Sequence, residues 1–191
     1  YWGVWWQNAP KESRKYITIN GNPTVYLDFG SMNVHLCYSL MGIDYNAIYD
    51  DGDPYFLAGF DDISREVRKK CVLLMLNSKN LRSCLTSVRQ YAKGEGLNIE
   101  NAKIQDIVSK FEEKHGGISD WYYRRNFGVL QNTESKISEV IIAMHVDLGV
   151  PILNIHDGFI VEEYHEEVTR EIMQESFRNL DYCSIPLINR E

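Results

Sequence analysis

Apolar and polar residues follow two different periods along this chain of 191 residues. Residues 15–19 and 24–29 alternate between the two kinds, as a half-buried strand does, and the turn-forming residues NGNP (20–23) separate them. From Ser31 to Met41 the apolar residues recur every three or four positions, which is the spacing of a helix that buries one face. The pattern therefore predicts two strands joined by a turn, followed by a helix.

Helical spacing dominates the remainder of the chain. The predicted helices cover residues 63–80, with a continuation or restart toward Gln90, and residues 100–114, 130–148 and 165–180. A β-hairpin and a short final strand complete the pattern, at Pro151–Ile155 with Phe159–Val161 and near residues 185–187. This order predicts an α+β fold in which helices cover a small antiparallel sheet.

Composition narrows the class of protein. Hydrophobic residues make up 44% of the chain, which suffices for a buried core, and no apolar run is long enough to cross a membrane. The first residues also lack the order of a signal peptide, so we expect a cytoplasmic protein with no membrane partner. The chain starts without Met at YWGVWWQ, which is expected to form an aromatic strand, and we expect a further N-terminal region of the same protein to precede it.

Charge is unevenly distributed along the chain. A net charge of −7 argues against a general nucleic-acid coat, whose affinity needs a basic surface. Residues 65–70 (REVRKK) nevertheless concentrate positive charge. Arg65 and Lys69 stand one helical turn apart, so both side chains can reach one anionic group such as a triphosphate. The alternative is a solvated basic helix face.

Two acids stand at places where strands end. Asp28 follows the second predicted strand, and Asp157 lies at the tip of the predicted hairpin. Carboxylates at adjacent strand ends can hold two Mg²⁺ (or Mn²⁺) ions and support phosphoryl transfer. The alternative for Asp157 is an ordinary turn residue, because Asp-Gly is a common hairpin pair. Glu162 and Glu163 are expected to be solvated, so no third strand acid supports a two-metal nuclease.

Three segments resemble the conserved motifs of the superfamily A polymerases, in the same order. TVYLDFGSMNVHLCYSLMG resembles motif A, REVRKKCVLLMLNS resembles motif B, and NIHDGFIVEE resembles motif C. LQNTES (130–135) is similar to the glutamine-bearing helix between motifs B and C. The chain is most similar to the divergent polymerases of bacterial transposons and viruses, which are related to family A DNA polymerases and to single-subunit phage-type RNA polymerases.

The resemblance implies a right-hand polymerase palm with a helical fingers subdomain. Residues 1–60 would be the N-terminal part of the palm with motif A, residues 61–127 a fingers-like insertion with motif B, and residues 128–191 the C-terminal part of the palm with motif C. It further implies template-directed nucleotidyl transfer to a primer 3′-hydroxyl, with a primer-template and nucleoside triphosphates as partners.

The same resemblance assigns roles to individual residues. Asp28, Asp157 and the main-chain carbonyl of Phe29 would bind two Mg²⁺ ions, and Arg65 and Lys69 would hold the incoming triphosphate. Residues expected to contact the primer or template are Arg14, Gln131 and His156. Gln131 is equally compatible with a core or helix-cap role.

The chain departs from the family pattern at three positions. Asn33 stands where family A DNA polymerases carry a Glu that helps to exclude ribose, and Asn77 stands where they carry a Tyr. Gly158 replaces the acid that follows the motif C Asp, as in the phage-type RNA polymerases. A DNA polymerase is favoured, and two alternatives stay open: a single-subunit-type RNA polymerase, and a catalytically inactive palm-like module that binds nucleic acid or protein in a replication or transposition assembly.

Overall fold

The computed structural model describes residues 3–49 and 52–190, and the chain forms two compact units. The first unit combines Tyr1–His35 with Asn132–Glu191 and contains every strand of the described chain. We call it the sheet unit. The second, Leu36–Gln131, is built from helices and loops within its described residues, and we call it the helical unit.

The sheet is antiparallel throughout and has five strands. Its order is β1-β2-β4-β3, and β5 also pairs with β2. The strands are β1 (Thr18–Ile19), β2 (Asn22–Phe29), β3 (Leu153–Ile155), β4 (Gly158–Glu162) and β5 (Ile188–Arg190). The small antiparallel sheet predicted from the alternating segments is therefore confirmed.

Eight α-helices accompany the sheet in the described part of the chain. They are α1 (Lys11–Arg14), α2 (Met32–Leu40), α3 (Tyr45–Ile48), α4 (Arg65–Asn77), α5 (Leu81–Gly94), α6 (Asn101–Lys114), α7 (Phe127–Asp147) and α8 (Glu166–Asn179). Short 3₁₀ helices cover Trp5–Asn8, Gly116–Trp121 and Glu163–His165. None of the helices in the described residues is long and apolar enough to cross a lipid bilayer.

The division into units falls inside helices. The chain passes from the sheet unit to the helical unit within α2 and returns within α7, after Gln131. The bounds that the resemblance implies for the palm and fingers parts, after residues 60 and 127, stay a prediction. Residues 36–49 and 52–60 belong to the helical unit.

The expected aromatic strand at the start of the chain is wrong for the residues that the structure describes. Trp5–Asn8 forms a 3₁₀ helix, and Pro10 then serves as N-cap of α1. The indole Nε1 of Trp6 donates a hydrogen bond to the Asn154 carbonyl at 3.1 Å, so this segment is held against β3 through a side chain instead of joining the sheet. Tyr1 and Trp2 lie outside the described residues.

The helix predicted over residues 63–80 does not continue toward Gln90. It ends at Asn77, and a separate helix starts at Leu81, which is the second of the two predicted alternatives. Asn80 and Ser83 form a capping box, in which the Ser83 amide donates to Asn80 Oδ1 at 2.8 Å and the Asn80 amide donates to Ser83 Oγ at 3.3 Å. A capping box satisfies amides that a new helix start leaves without partners. The amphipathic spacing continues across this point, which is why it does not reveal the break between α4 and α5.

The two faces of β2 differ, as its alternation predicts. Val25, Leu27 and Phe29 are buried, and the Phe29 ring packs edge-on against Phe177 of α8 with ring centroids 5.2 Å apart. Tyr26 and Asp28 lie on the opposite, partly exposed face. β2 thus anchors its apolar face in the core and presents Asp28 at its end.

The expectation that Glu162 is solvated is wrong. Its side chain is fully buried, and it accepts hydrogen bonds from Asn22 Nδ2 at 2.8 Å and Tyr164 Oη at 2.7 Å. A buried carboxylate needs such donors because it loses its water. Glu163 lies nearer the surface and pairs with Arg190 at 2.5 Å. Glu162 therefore has a structural role, because its hydrogen bond with Asn22 links β4 to the β1–β2 hairpin.

Candidate active site

The sheet brings Asp28 and Asp157 to one place, although 129 residues separate them in sequence. In the β2–β4 register, Asp28 lies directly opposite Gly158. Ile155 pairs with Gly158 across the β3–β4 hairpin, so His156 and Asp157 alone form its loop. Asp157 is therefore one residue from the cross-strand partner of Asp28. Both side chains are partly buried.

The main-chain carbonyl of Phe29, the residue after Asp28, is expected at the edge of β2 that pairs with β4. The Gly30 amide donates to the Leu187 carbonyl at 2.8 Å, so this amide points toward the edge of β2 that pairs with β5. Backbone groups of successive strand residues face opposite edges. We therefore expect the Phe29 carbonyl to face the β4 side, where Asp157 lies. Its role as a metal ligand stays a prediction.

The side chain of Tyr26 leaves no room for a side chain at position 158. A Cβ atom built on Gly158 would overlap the phenol of Tyr26, with Tyr26 Cζ at 2.5 Å and Cε2 at 2.6 Å. Real Cβ atoms do not approach other atoms this closely, so a larger residue would force the tyrosine to move. A tyrosine ring thus fills the space that a side chain at position 158 would need.

Arg14 approaches the same tyrosine. Its guanidinium carbon lies 5.5 Å from the centroid of the Tyr26 ring, within the range of a cation–π contact. Arg14 Nε is buried and has no hydrogen-bond partner in the described part of the chain. The predicted nucleic-acid contact residue Arg14 is therefore placed, through Tyr26, beside the hairpin that carries Asp157.

Glu134 of α7 is a third acid at this site, and the sequence analysis did not identify it. Burial and, to a smaller extent, the nearby negative charge of Asp157 raise the pKa of Glu134 to about 7, although a hydrogen bond with the Asn33 side chain acts in the opposite direction. Asn33 of α2 is thus hydrogen-bonded to a glutamate from another helix. The signal that could have found Glu134 is its position one helical turn after Gln131.

The chemistry of these donors suits a divalent magnesium ion. Among residues 3–49 and 52–190, no group of three or more His, Cys, Asp or Glu side chains is arranged to hold a metal by itself. Mg²⁺ does not need such a cage, because it is usually bound by one or two carboxylates and completes its shell with water and substrate phosphates. The raised pKa of Glu134 has burial as its main cause, and the smaller contribution from the negative charge of Asp157 is one that a cation would offset. The oxygen donors of Asp28, Asp157 and the Phe29 carbonyl therefore have the chemistry that Mg²⁺ binding requires.

The helical unit holds the predicted triphosphate ligands on α4. Arg65 already has an anionic partner: its Nε and Nη2 donate to both carboxylate oxygens of Asp53, at 2.8 and 3.0 Å. Its guanidinium carbon also lies 5.2 Å from the centroid of the Tyr55 ring. Arg65 must therefore share its charge with Asp53 or exchange this partner before it can hold a phosphate. Lys69, one turn along, is partly exposed.

Two further side chains of α4 have buried polar atoms without a hydrogen-bond partner among the described residues. Nε and Nη1 of Arg68 are buried and have no hydrogen-bond partner in the described residues. Arg68 precedes the buried Val72 and Leu76 by one and two turns, so it stands on the buried stripe of the helix. Asn77 donates to the Leu73 carbonyl at 2.9 Å, and its Oδ1 has no partner among the described residues. Arg68 carried no sequence signal, because it lies inside a run of like charges.

Comparison with solved structures identifies the architecture. The chain is similar to the POL domain of Pol1 from M. smegmatis in its complex with DNA primer-template and dNTP, with a TM-score of 0.59 and 14% identity, over 96% of this chain and 43% of that one. This chain has a polymerase-like fold. No family model and no curated protein matches the sequence. The chain spans under half of the length of the polymerase domain that it resembles.

The polymerase-like fold distributes the predicted site residues over both units. The sheet unit contains Arg14, Asp28, Phe29, Asn33, His156 and Asp157, and the helical unit contains Arg65, Lys69, Asn77 and Gln131. His156 is exposed in the hairpin loop, with a left-handed φ of 55°. Gln131 is exposed on α7, so its alternative role as a core residue is wrong.

Proposed function

We propose that this chain carries the nucleotidyl-transfer site of a template-directed polymerase, with DNA as the favoured product. The observation that carries the proposal is the β2–β4 register, which puts Asp28 opposite Gly158 and beside Asp157. The polymerase-like fold supports the same conclusion, because the similar POL domain is described with a primer-template and a dNTP. The motif order along the sequence is consistent with a palm formed by the sheet unit and fingers formed by the helical unit.

In this proposal Asp28, Asp157 and the Phe29 carbonyl hold two Mg²⁺ or Mn²⁺ ions. Bound ions of this kind activate an attacking hydroxyl and stabilise the charge that develops on the transferred phosphate. The chain's own contribution is to keep two carboxylates at the end of a buried strand and a tight hairpin. Glu134, which is hydrogen-bonded to Asn33, lies near enough to Asp157 for the two acids to interact electrostatically.

The helical unit supplies the cations for the substrate in this proposal. Lys69 and Arg65 hold the triphosphate, and Arg68 offers two buried nitrogen donors on the same helix. Asn33 and Asn77 contact the incoming nucleotide. Arg14, Gln131 and His156 contact the primer or template strands, and the exposure of the last two leaves them accessible.

Primer extension tests the proposal directly. A labelled primer-template is offered with Mg²⁺ or Mn²⁺ and with dNTPs or rNTPs in separate reactions, using the chain, its Asp157→Asn variant and a Glu139→Gln control on an exposed position of α7. We expect extension by the chain and the control and none by Asp157→Asn. The preferred nucleotide separates a DNA polymerase from the RNA polymerase alternative. No extension under any condition, or equal extension by Asp157→Asn, overturns the proposal.

One observation favours the inactive binding module as the second candidate. Arg65, the bidentate phosphate ligand expected from motif B, is occupied by Asp53. A relic palm no longer needs that arginine for substrate, and Asn33 and Asn77 would be tolerated in it. This candidate predicts primer-template binding that is insensitive to Asp157→Asn and is accompanied by no extension in Mg²⁺ or Mn²⁺.

A further inference from the structure

The helical unit contains an open cleft that the nucleotidyl-transfer site does not use. It lies where α5 ends and α6 begins, and its volume is about 430 Å³. We call it the α5–α6 cleft, and the residues that matter for its chemistry are Arg89, Lys93, Leu97, Asn98, Ile99 and Asn101. Its volume falls within the range of sites that bind small organic molecules, so it exceeds what a lone inorganic ion needs.

The charged residues that line the cleft are all cationic. Arg89 and Lys93 lie four residues apart on α5, so their side chains share one face. None of the nine described residues that line it is acidic, in a chain whose net charge is −7. Arg89 Nε is buried and has no hydrogen-bond partner within the described part of the chain. A buried guanidinium nitrogen without an acceptor costs free energy, which an anionic ligand would offset.

The two helix ends beside the cleft differ in what they leave unsatisfied. At the end of α5, the Leu97 amide donates to the Ala92 carbonyl at 2.8 Å and the Gly96 amide donates to the Lys93 carbonyl at 3.1 Å, so carbonyl acceptors are used. At the start of α6, the N-cap residue Glu100 makes no side-chain capping bond. First-turn amides have no intrahelical acceptor. The local backbone thus adds to the surplus of donors that Arg89 and Lys93 create.

The cleft also has apolar lining residues. Leu97 is 41% exposed, and Ile99 and Ile104 also contribute to the lining. A ligand that matches both kinds of residue has an anionic group for Arg89 and Lys93 and a flat apolar group for Leu97 and Ile99. A nucleotide has these two parts, with its phosphate and its base. Because the cleft is open at the surface, a continuous strand can enter and leave it.

We propose that the α5–α6 cleft binds one nucleotide unit of a single-stranded nucleic acid. The phosphate accepts hydrogen bonds from Arg89 and Lys93, and the base or sugar packs on Leu97 and Ile99. This site is separate from the proposed transfer chemistry, and its identification does not depend on Asp28 or Asp157. Only the further assignment of the bound strand as the template rests on the proposed function.

The test compares two double variants with the same loss of charge. Arg89→Ala with Lys93→Ala removes both cations of the cleft, whereas Lys79→Ala with Arg82→Ala removes two exposed cations at the start of the same helix. Binding of a labelled single-stranded oligonucleotide is followed by fluorescence anisotropy over a range of salt. We expect the cleft variant to lose about tenfold in affinity and its salt dependence to fall by a slope of about 0.7, for one lost phosphate contact. The control should change less than about twofold, as a rim charge does.

Further measurements separate the possible outcomes. Leu97→Glu places a negative charge at an exposed position of the cleft and should also weaken binding. This variant tests the cleft independently, even if the Arg89→Ala, Lys93→Ala double variant does not fold. Equal losses in the two double variants, or no loss in either, overturn the proposal. A free mononucleotide that binds the cleft as tightly as the strand overturns the assignment to a strand. Oligonucleotide binding and primer extension are measured in separate assays, so failure of the proposed polymerase activity and failure of the cleft can be told apart.

Discussion

The sheet unit carries the net negative charge of the chain, whereas the helical unit has equal numbers of acidic and basic residues. In the sheet unit, Glu134 and Asp157 lie close enough for one acid to raise the pKa of the other. In the helical unit, Arg68 and Arg89 have buried nitrogens with no acceptor among the described residues, although Arg65 has found one in Asp53. The paired acids of the sheet unit therefore favour a cation, whereas the unpartnered guanidinium nitrogens, which include Arg14 Nε of the sheet unit, favour an anion.

The largest expected effect comes from neutralising one residue in each unit. Asp28→Asn should lower kcat by about 10³-fold or more, because a lost metal contact removes several kcal/mol of transition-state charge stabilisation. Arg65→Ala should raise the KM for the nucleotide about tenfold and leave kcat nearly unchanged, since it loses a charged hydrogen bond that binds substrate and transition state alike. Steady-state primer extension measures both. A fall in kcat for Arg65→Ala as large as that for Asp28→Asn would show that the comparison between the units is wrong.

The next effect concerns Glu134 and the stability of the metal-free protein. Its folded-state pKa of about 7 lies above the ordinary 4.5, so the stability that the protonated form contributes is complete below pH 4.5 and is lost as the pH rises through 7. Glu134→Gln keeps an uncharged side chain at all pH values. The stability of the variant relative to the parent chain should therefore rise by about 3 kcal/mol between pH 4.5 and pH 8, measured by urea unfolding in EDTA. Parallel pH profiles would contradict the excess of negative charge in the sheet unit.

Glu139→Gln serves as the matched control for this measurement. It makes the same chemical change on an exposed position of α7. Its pH profile should follow that of the parent chain, because an exposed carboxylate keeps its water in the folded state. A gain for Glu139→Gln equal to that for Glu134→Gln would mean that net charge, and not the contact with Asp157 and Asn33, sets the pH dependence.

A steric substitution has a smaller expected effect. Gly158→Ala should destabilise the protein by roughly 1 to 3 kcal/mol, because the new methyl group overlaps the Tyr26 phenol. Tyr26→Ala should remove that penalty, so the double variant should show a favourable coupling in a double-mutant cycle. Gly128→Ala is the control, since a Cβ there meets no atom within 4 Å. Additive effects of the two substitutions would mean that Tyr26 does not determine the residue at position 158.

The sequence predicted the parts of the site that depend on local pattern. Alternation in residues 24–29 and the apolar runs around Asp157 were enough to place both acids at strand ends, and the order of motifs suggested that they meet. Glu134 could not be found in this way, because its contact with Asp157 depends on how α7 packs against the hairpin. Tyr26 over Gly158 is likewise a tertiary contact. Periodicity describes which face of an element is buried, but it does not describe which residue of another element lies opposite.

The same limit explains Arg65. Motif spacing assigns a phosphate to Arg65, and nothing in residues 65–70 shows that Asp53, twelve positions earlier, takes the guanidinium first. The early aromatic segment failed for a related reason, since Trp6 is held by its indole hydrogen bond to Asn154 and not by strand pairing. A residue type at a motif position is predictable from sequence, whereas its availability is set by neighbours that the chain brings in from elsewhere.

The smallest expected effect tests that availability. Asp53→Asn should cost less than about 1 kcal/mol of stability, because the Asp53–Arg65 pair is partly exposed and such pairs contribute little. It should also lower the KM for the nucleotide a few-fold, since Arg65 no longer has to give up a carboxylate before it accepts a phosphate. Asp62→Asn, which removes the exposed partner of Lys103, should leave KM unchanged. If Asp53→Asn instead raises KM, the carboxylate positions Arg65 for the phosphate, and the ion pair is part of the binding site and not a competitor of it.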